Sequence, residues 1–447
     1  MRDTAEESGR ATKSETPTVV FRSVSGVFAS RVVMNESRPN LELQWAGKQD
    51  RSLLEPKVLV EDPGLSIRSS EGDDNLLVFG DNLLALKALQ SDFTQRIRCV
   101  YIDPPYNTGS SFTHYKDGVE HARWLTMMRD RLELLRELLA PDGILFVSID
   151  DRELAYLIVL LDELFGRENS CGMFVWEKKK KPSFLNSHMG IVTEYVVAYA
   201  KERRRAPAFV GGVTTRGKKY PLNNAGNAVR ILEFPAGSVR FGCPDQIFQP
   251  QDMSAGRIVT QLLDQVEVLN GRNTAMFRLS GEWRYSQAKL DRIIEAGEEI
   301  VVSKVPFRPN HVRAGGEPKK LMNLLSRAHH RMSTYEDATA ESRALFGEAN
   351  AFDYPKPEKL VRTLIAAVTQ EGDWVLDSFA GSGTTGAVAH KMRRRWIMVE
   401  RGEHCHSHIL PRLRRVIGGA DPNGVTGLEG WKGGGGFRYC TLGDPAR

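Results

Sequence analysis

Ile97-Arg98-Cys99-Val100-Tyr101-Ile102-Asp103-Pro104-Pro105-Tyr106 is the stretch whose reading decides the fold. Its first six residues have strand length and β-branched content, and Asp-Pro-Pro continues neither a strand nor a helix. The chain must leave a sheet abruptly here and present a carboxylate, stiff carbonyls and an aromatic ring at the sheet edge. Ligands bind at such edges, outside the carboxyl ends of strands in open α/β sheets. Two prolines narrow the conformations of the loop, which suits a site that needs fixed acceptors. A plain surface turn would also satisfy these ten residues, so the surrounding chain has to decide.

On both sides strands alternate with helices. Leu76 to Phe79 reads as a short strand, Gly80-Asp81-Asn82 as turn and helix cap, and Leu83 to Leu89 as helical. His121 to Leu139 is a long amphipathic helix closed by Pro141-Asp142-Gly143. Gly143 to Ile149 is a buried strand ending at Asp150-Asp151, and Leu154 to Phe165 is the next helix. Phe174 to Trp176 and Tyr195 to Tyr199 read as further strands. Upstream, Leu41 to Trp45 alternates like a strand closed by Ala46-Gly47-Lys48, and Pro56 to Asp74 reads as a linker. The pattern predicts an α/β, doubly wound, mostly parallel sheet.

The texture changes after Lys201. From Arg203 onward glycines are many and periodicity is weak, with one helix expected from Gln287 to Glu295. The α/β pattern resumes at Phe352-Asp353-Tyr354-Pro355-Lys356-Pro357. The expected divisions are a mobile extension over 1–40, a first catalytic half over 41–202, a basic insertion over 203–348, a ligand-binding half over 349–417 and a glycine-rich tail over 418–447. Met34, inside the extension, is a second candidate translation start.

Composition bounds the class. With 447 residues, 41% hydrophobic and 26% charged, the chain has the make-up of a globular protein with more than one domain or a large insertion. Five cysteines without a CxxC pair argue against a disulfide framework or a zinc site, and no metal is expected. Cys405 among His404, His406 and His408 reads as helix surface. No signal core or bilayer-length apolar run appears, so a cytoplasmic protein with no membrane partner is expected. The net charge of +5 is uneven. Lys178, Lys179, Lys180 and Lys181 form a run, followed by Arg216, Lys218 and Lys219, and later by Lys319 and Lys320. Such clusters point to a polyanion partner.

A second constellation lies beyond the insertion. Trp374 to Leu376 is a strand ending in Asp377, Phe379-Ala380-Gly381-Ser382-Gly383-Thr384-Thr385-Gly386 is a glycine-rich loop, and Trp396 to Val399 is a strand ending at Glu400. Glycines let a backbone approach a ligand, and a carboxylate ending the next strand suits ribose hydroxyls. The phosphate-loop pattern G-x-x-x-x-G-K-[ST] is absent, and Asp377 beside the loop would repel a pyrophosphate. It would suit a ligand carrying an ammonium and a sulfonium, as S-adenosyl-L-methionine does.

Asp-Pro-Pro-Tyr at 103–106, Tyr-Pro-Lys-Pro at 354–357 and Asp-Ser-Phe-Ala-Gly-Ser-Gly-Thr-Thr-Gly at 377–386 together resemble the amino-group DNA methyltransferases. Their order is that of the beta class, and Trp45 to Lys48 with the Gly433 to Tyr439 segment resembles type III restriction-modification Mod subunits. The resemblance covers most of the chain from Leu41 onward. It implies a Rossmann-like, seven-stranded-type methyltransferase sheet with the insertion as target-recognition domain. It also implies N6-methylation of a flipped adenine in duplex DNA, with S-adenosyl-L-methionine as donor. Asp103 and the Pro104 carbonyl would accept the amino protons, Pro105 would stiffen the turn and Tyr106 would stack on the base. Asp377 would face the cofactor ammonium, Phe379, Gly381, Ser382, Gly383 and Thr384 would line its loop, and Glu400 would take the ribose. Lys356 would approach the cofactor carboxylate and Asp81 its adenine. Glu194 and Tyr195 resemble the base-pocket motif, with Thr193 where a histidine is usual and His188 as a stand-in. A homodimer and a restriction (Res-type) subunit stay open as partners. The insertion is shorter than a full Mod subunit implies.

Other readings remain. N4-cytosine methylation keeps the class, although serine in place of Asp103 is the more usual pattern for it. C5-cytosine chemistry needs a Pro-Cys nucleophile, and only the reversed Cys243-Pro244 comes near. A nicotinamide oxidoreductase leaves Asp-Pro-Pro-Tyr unexplained. A non-catalytic DNA-binding protein would bind duplex without transferring methyl groups.

Overall fold

The strand Ile97–Ile102 sits near the middle of a ten-stranded sheet in a computed structural model that describes residues 42–51, 54–69, 75–107, 110–111, 116–117, 120–182 and 188–445. The sheet order is Val58–Glu61, Arg438–Gly443, Leu76–Phe79, Arg395–Glu400, Trp374–Asp377, Ile97–Ile102, Leu139–Ile149, Thr193–Ala200, Ser170–Glu177 and Leu324–Leu325. From Arg438–Gly443 to Leu139–Ile149 every pairing is parallel, and the strands on either side of that run pair antiparallel to it.

Alternation builds the two layers. Val100 and Ile102 pack with helices Asn82–Phe93, His121–Leu138 and Leu154–Phe165, while Cys99 and Tyr101 face the layer of Glu358–Val368, Thr384–Lys391 and Leu410–Ile417. Leu76 and Val78 against Leu77, and Ile397 and Val399 against Trp396 and Met398, divide in the same way. Ile97 lies on the same side as Val100 because the register with the neighbouring strand shifts between Ile97 and Cys99. The doubly wound α/β class expected from the sequence is therefore the one observed.

Several expectations need correction. Leu43 to Trp45 forms no strand, although Ala46 to Lys48 is the expected turn; Leu41 and the extension lie outside the described residues. The linker holds the edge strand Val58–Glu61, and the glycine-rich tail contains Arg438–Gly443, an interior strand of the main sheet. Cys405 and His408, expected on a helix surface, are buried, on the π-helical turn Cys405–Ile409 that leads into the α-helix Leu410–Ile417.

The insertion carries its own core, from Leu222 to Phe307, between a seven-stranded and a four-stranded sheet. Its single well-patterned segment, Gln287–Glu295, is the helix expected. Val210–Val213 pairs antiparallel with Pro318–Lys320, so entry and exit run side by side as a ribbon. The insertion ends earlier than expected: Leu324–Leu325 joins the main sheet, and Met332 and Tyr335 pack into the main core. Among the described residues no helix is long and apolar enough to cross a membrane.

Candidate active site

The carboxyl ends of the parallel strands open on a cavity of about 440 Å³. Asp103 follows Ile102, and Asp377 ends the adjacent strand, whose own partner ends in Glu400. All three line the cavity with Pro104, Pro105, Tyr106, Lys356, Phe379, Gly381, Ser382 and Thr384. The two motifs that flank the insertion in sequence thus meet because their strands are neighbours in the sheet.

The Asp103 end is an ionic and aromatic cluster. Lys356 Nζ donates to both carboxylate oxygens of Asp103, at 2.7 and 2.6 Å, and lies 3.9 Å from Glu194 Oε2. The same ammonium sits over the rings of Tyr106 and Tyr335, 5.0 and 5.3 Å from their centroids. Glu194 is buried and accepts from Tyr335 Oη at 2.8 Å, Tyr106 Oη at 3.3 Å and Lys178 Nζ at 3.0 Å. Burial raises the Asp103 carboxyl above its ordinary range, and the charge of Lys356 only partly offsets this. Behind the turn, the Trp124 indole donates to the Pro105 carbonyl at 2.7 Å, which fixes the diproline. Asp150, at the end of the next strand, also lines the cavity, and burial pushes its carboxyl up to about 6.

At the other end the glycine loop wraps two carboxylates. Asp377 accepts from Phe379 N at 2.9 Å and Thr385 Oγ1 at 2.5 Å, yet burial pushes it up to about 7. Glu400 Oε1 accepts from the amides of Arg401 and Gly402, and Oε2 from Gly381 N at 2.9 Å. Burial acts against the charged form of Glu400, but His404 and the Gly402 and Gly381 amides together hold its carboxyl below the ordinary range. Carboxylate oxygens offer about two lone pairs each, so Oε2 retains acceptor capacity for a ligand. Gly381 has φ 52°, where a side chain would meet only ordinary contacts, and a Cβ on Gly386 would collide with the Met398 side chain. The loop needs the first glycine for its conformation and the last for packing on the neighbouring strand.

Not every expected residue points where it was placed. Asp81 caps the helix Asn82–Phe93 through Leu83 N at 2.9 Å, and its neighbours Gly80 and Asn82 line the cavity instead. Ser382 and Thr384 bond to each other, and Thr384 Oγ1 donates to the Lys356 carbonyl at 3.2 Å. Lys356, expected at a cofactor carboxylate, lies on Asp103. His188 is exposed and does not line the cavity; Lys178, Tyr335 and Tyr106 bond to Glu194. Tyr335 and Asp150 were missed: Tyr335 fell inside the expected insertion, whereas Asp150 carried the visible signal of an acid at a strand end.

The basic residues divide. Lys178 faces the cavity, and Lys180 pairs with Asp337. Arg216, Lys218, Lys219, Lys319 and Lys320 are exposed around the ribbon that joins the insertion to the main sheet. Among the described residues no cluster of His, Cys, Asp or Glu could hold a metal ion.

The acidic diproline turn and the acid-flanked glycine loop thus share one cavity at the carboxyl ends of a doubly wound sheet, the place where open α/β folds bind ligands. The chain belongs to the DNA methylase family N6_N4_Mtase, whose model matches residues 97–410. It is 30% identical to the protein named as the HindVI type III Mod subunit of Haemophilus influenzae, over 84% of this chain and 55% of that one. The StyLTI Mod subunit of Salmonella typhimurium is 29% identical over 72% of this chain and 50% of its own length. For the EcoPI Mod subunit of Escherichia phage P1 the figures are 29%, 85% and 65%. The chain spans about half to two-thirds of the length of these relatives.

Proposed function

We propose that the protein is a site-specific DNA methyltransferase that transfers a methyl group from S-adenosyl-L-methionine to the N6 amino group of an adenine flipped out of duplex DNA. The observation that carries this reading is the single cavity shared by Asp103-Pro104-Pro105-Tyr106 and the Asp377–Thr384 loop. The residues present fit the cofactor: Asp377 is a buried acid without a cationic side-chain partner among its hydrogen bonds, Gly381 allows close approach and Glu400 keeps an acceptor. When bound, S-adenosyl-L-methionine supplies a methyl group already activated on a sulfonium.

The protein's part is to hold and prepare the base. An exocyclic amine is a poor nucleophile because its lone pair is delocalised into the ring. Asp103 and the Pro104 carbonyl would accept its two protons, which lets the nitrogen pyramidalise and frees the lone pair. The raised Asp103 carboxyl suits uptake of the proton that the nitrogen loses. Flipping costs roughly a few kcal/mol, and stacking on Tyr106 returns about 1–3 kcal/mol. Alignment of nitrogen and methyl donor in a fixed cavity supplies much of the remaining acceleration.

The relatives named as Mod subunits support a place in a restriction-modification system; a Res-type subunit would be its partner, and the insertion would read the target. N4-cytosine is the second reading, because the family description covers both amino groups. Transfer of labelled methyl to duplex DNA, followed by identification of the modified base, tests both. Label on N6-adenine supports the proposal, label on cytosine replaces the base, and no transfer defeats the reading. Light scattering tests for a homodimer, and co-purification with the Res-type subunit tests that partnership.

A further inference from the structure

Lys356 stands in the wrong place for a residue that serves the cofactor alone. Its ammonium lies 2.7 and 2.6 Å from the two Asp103 oxygens, within hydrogen-bond range, between the rings of Tyr106 and Tyr335. An exocyclic amino nitrogen that donates to Asp103 and stacks on Tyr106 has to occupy this same space. The lysine nitrogen therefore marks the slot for the reactive nitrogen and fills it.

Two further observations bear on how the slot is cleared. The Lys356 carbonyl is held by Thr384 Oγ1 at 3.2 Å, so its backbone is tied to the glycine loop while the four-carbon side chain can swing. The alternative anion at hand, Glu194 Oε2 at 3.9 Å, is already taken by Tyr335 and Tyr106. A cation left on Asp103 would also oppose the positive charge that builds on the attacking nitrogen. Lys356 thus needs another anion before the base can be seated.

We propose that Lys356 is a positioning residue that occupies the target-amine slot on Asp103 and vacates it when a carboxylate-bearing ligand enters the loop side of the cavity, so that base capture follows cofactor binding. This rests on the methyltransferase reading. Tyr335, which holds Glu194 on the far side of the ammonium, would form the second wall of the emptied slot.

The test uses the full chain and a duplex in which the adenine methylated by wild type is replaced by 2-aminopurine, whose fluorescence rises on extrusion. S-adenosylhomocysteine, which keeps the amino-acid carboxylate, is compared with 5′-methylthioadenosine, which lacks it. Wild type should show a several-fold rise with the first and little with the second or with no ligand. Lys356→Met should show the rise without ligand, and Lys356→Arg should restore ligand dependence. Equal signals for wild type with both compounds, or with none, would overturn the proposal. So would a folded Lys356→Met that still needs S-adenosylhomocysteine. If Lys356→Met does not melt cooperatively, the wild-type comparison decides alone. Absence of methyl transfer by wild type would defeat the functional reading itself, whereas transfer with ligand-independent extrusion would defeat only the role of Lys356.

Discussion

Asp103, a partly buried carboxyl, and Asp377, an almost wholly buried one, share one cavity, but their surroundings give them different work. Asp103 has a lysine on both oxygens, whereas Asp377 has only an amide and a hydroxyl. Replacing Asp103 with Ala removes an acceptor fixed in place before the reaction, a type of loss worth about 10²–10³-fold in rate. Asp103→Ala should lower turnover by at least that much in the labelled-methyl assay while leaving duplex affinity nearly intact. Asp377, pushed up to about 7, is largely protonated below that pH, whereas a ligand ammonium needs it charged. Cofactor affinity measured by calorimetry should therefore rise with pH and level off above about 7, with a limiting slope below it of about tenfold per pH unit. The same group affects stability with the opposite sign. Its folded pKa lies above the unfolded one, so ionising it costs folding energy; the penalty is absent below the ordinary carboxyl range, builds toward pH 7 and is constant beyond. For a rise from 3.8 to about 7 the ceiling is about 4 kcal/mol. Asp377→Asn should melt higher than wild type above pH 7 and lose that advantage near pH 4, while binding the cofactor poorly at both.

At the scale of elements, the glycine loop is held from behind by buried charge. Arg412 Nη1 donates to Thr384 Oγ1 at 2.9 Å and Nη2 to Glu358 Oε1 at 2.9 Å, while Lys391 Nζ reaches both Glu358 oxygens and Asp421. These four side chains are almost wholly buried, and they join the helices Glu358–Val368, Thr384–Lys391 and Leu410–Ile417 beneath the loop. Removing one partner from such a network leaves an uncompensated charge and costs about 3–5 kcal/mol. Lys391→Met should lose that much in denaturant unfolding, more than the exposed pair Arg51–Glu133 would on the same treatment. None of this network was readable from the sequence, because charges at helical spacing look alike whether they face water or each other. Apolar alternation was readable, and it placed all but one of the central parallel strands, with Asp103, Asp377 and Glu400 at their ends. Arg438–Gly443 escaped because four glycines precede it and disguise its start. Tyr335 escaped because weak periodicity hid the point where the chain returns from the insertion to the main sheet. The Lys356–Asp103 pair escaped for a different reason: pairing is a fact of three-dimensional placement, and the residue types admitted more than one partner.

On the scale of the whole molecule, the main sheet and the insertion each bury a separate core, and the ribbon Val210–Val213 with Pro318–Lys320 joins them. A duplex reaching both the cavity and the insertion would have to pass this junction, where Arg216, Lys218, Lys319 and Lys320 stand exposed. Lys178 and Lys180, by contrast, are tied to Glu194 and Asp337, so the first lysine run offers less free charge than its sequence suggests. Phosphate contacts release counterions, and each lowers the slope of log K against log salt by about 0.9 for duplex DNA. Lys319→Gln with Lys320→Gln should therefore make the slope shallower by about 2 and weaken specific and non-specific duplexes alike. Lys180→Gln should change the slope much less, because its ammonium is already paired. Fluorescence anisotropy titrations between low and physiological salt measure both. An unchanged slope for the Lys319 and Lys320 pair would take the DNA path away from the ribbon and leave the remaining faces of the insertion to carry it.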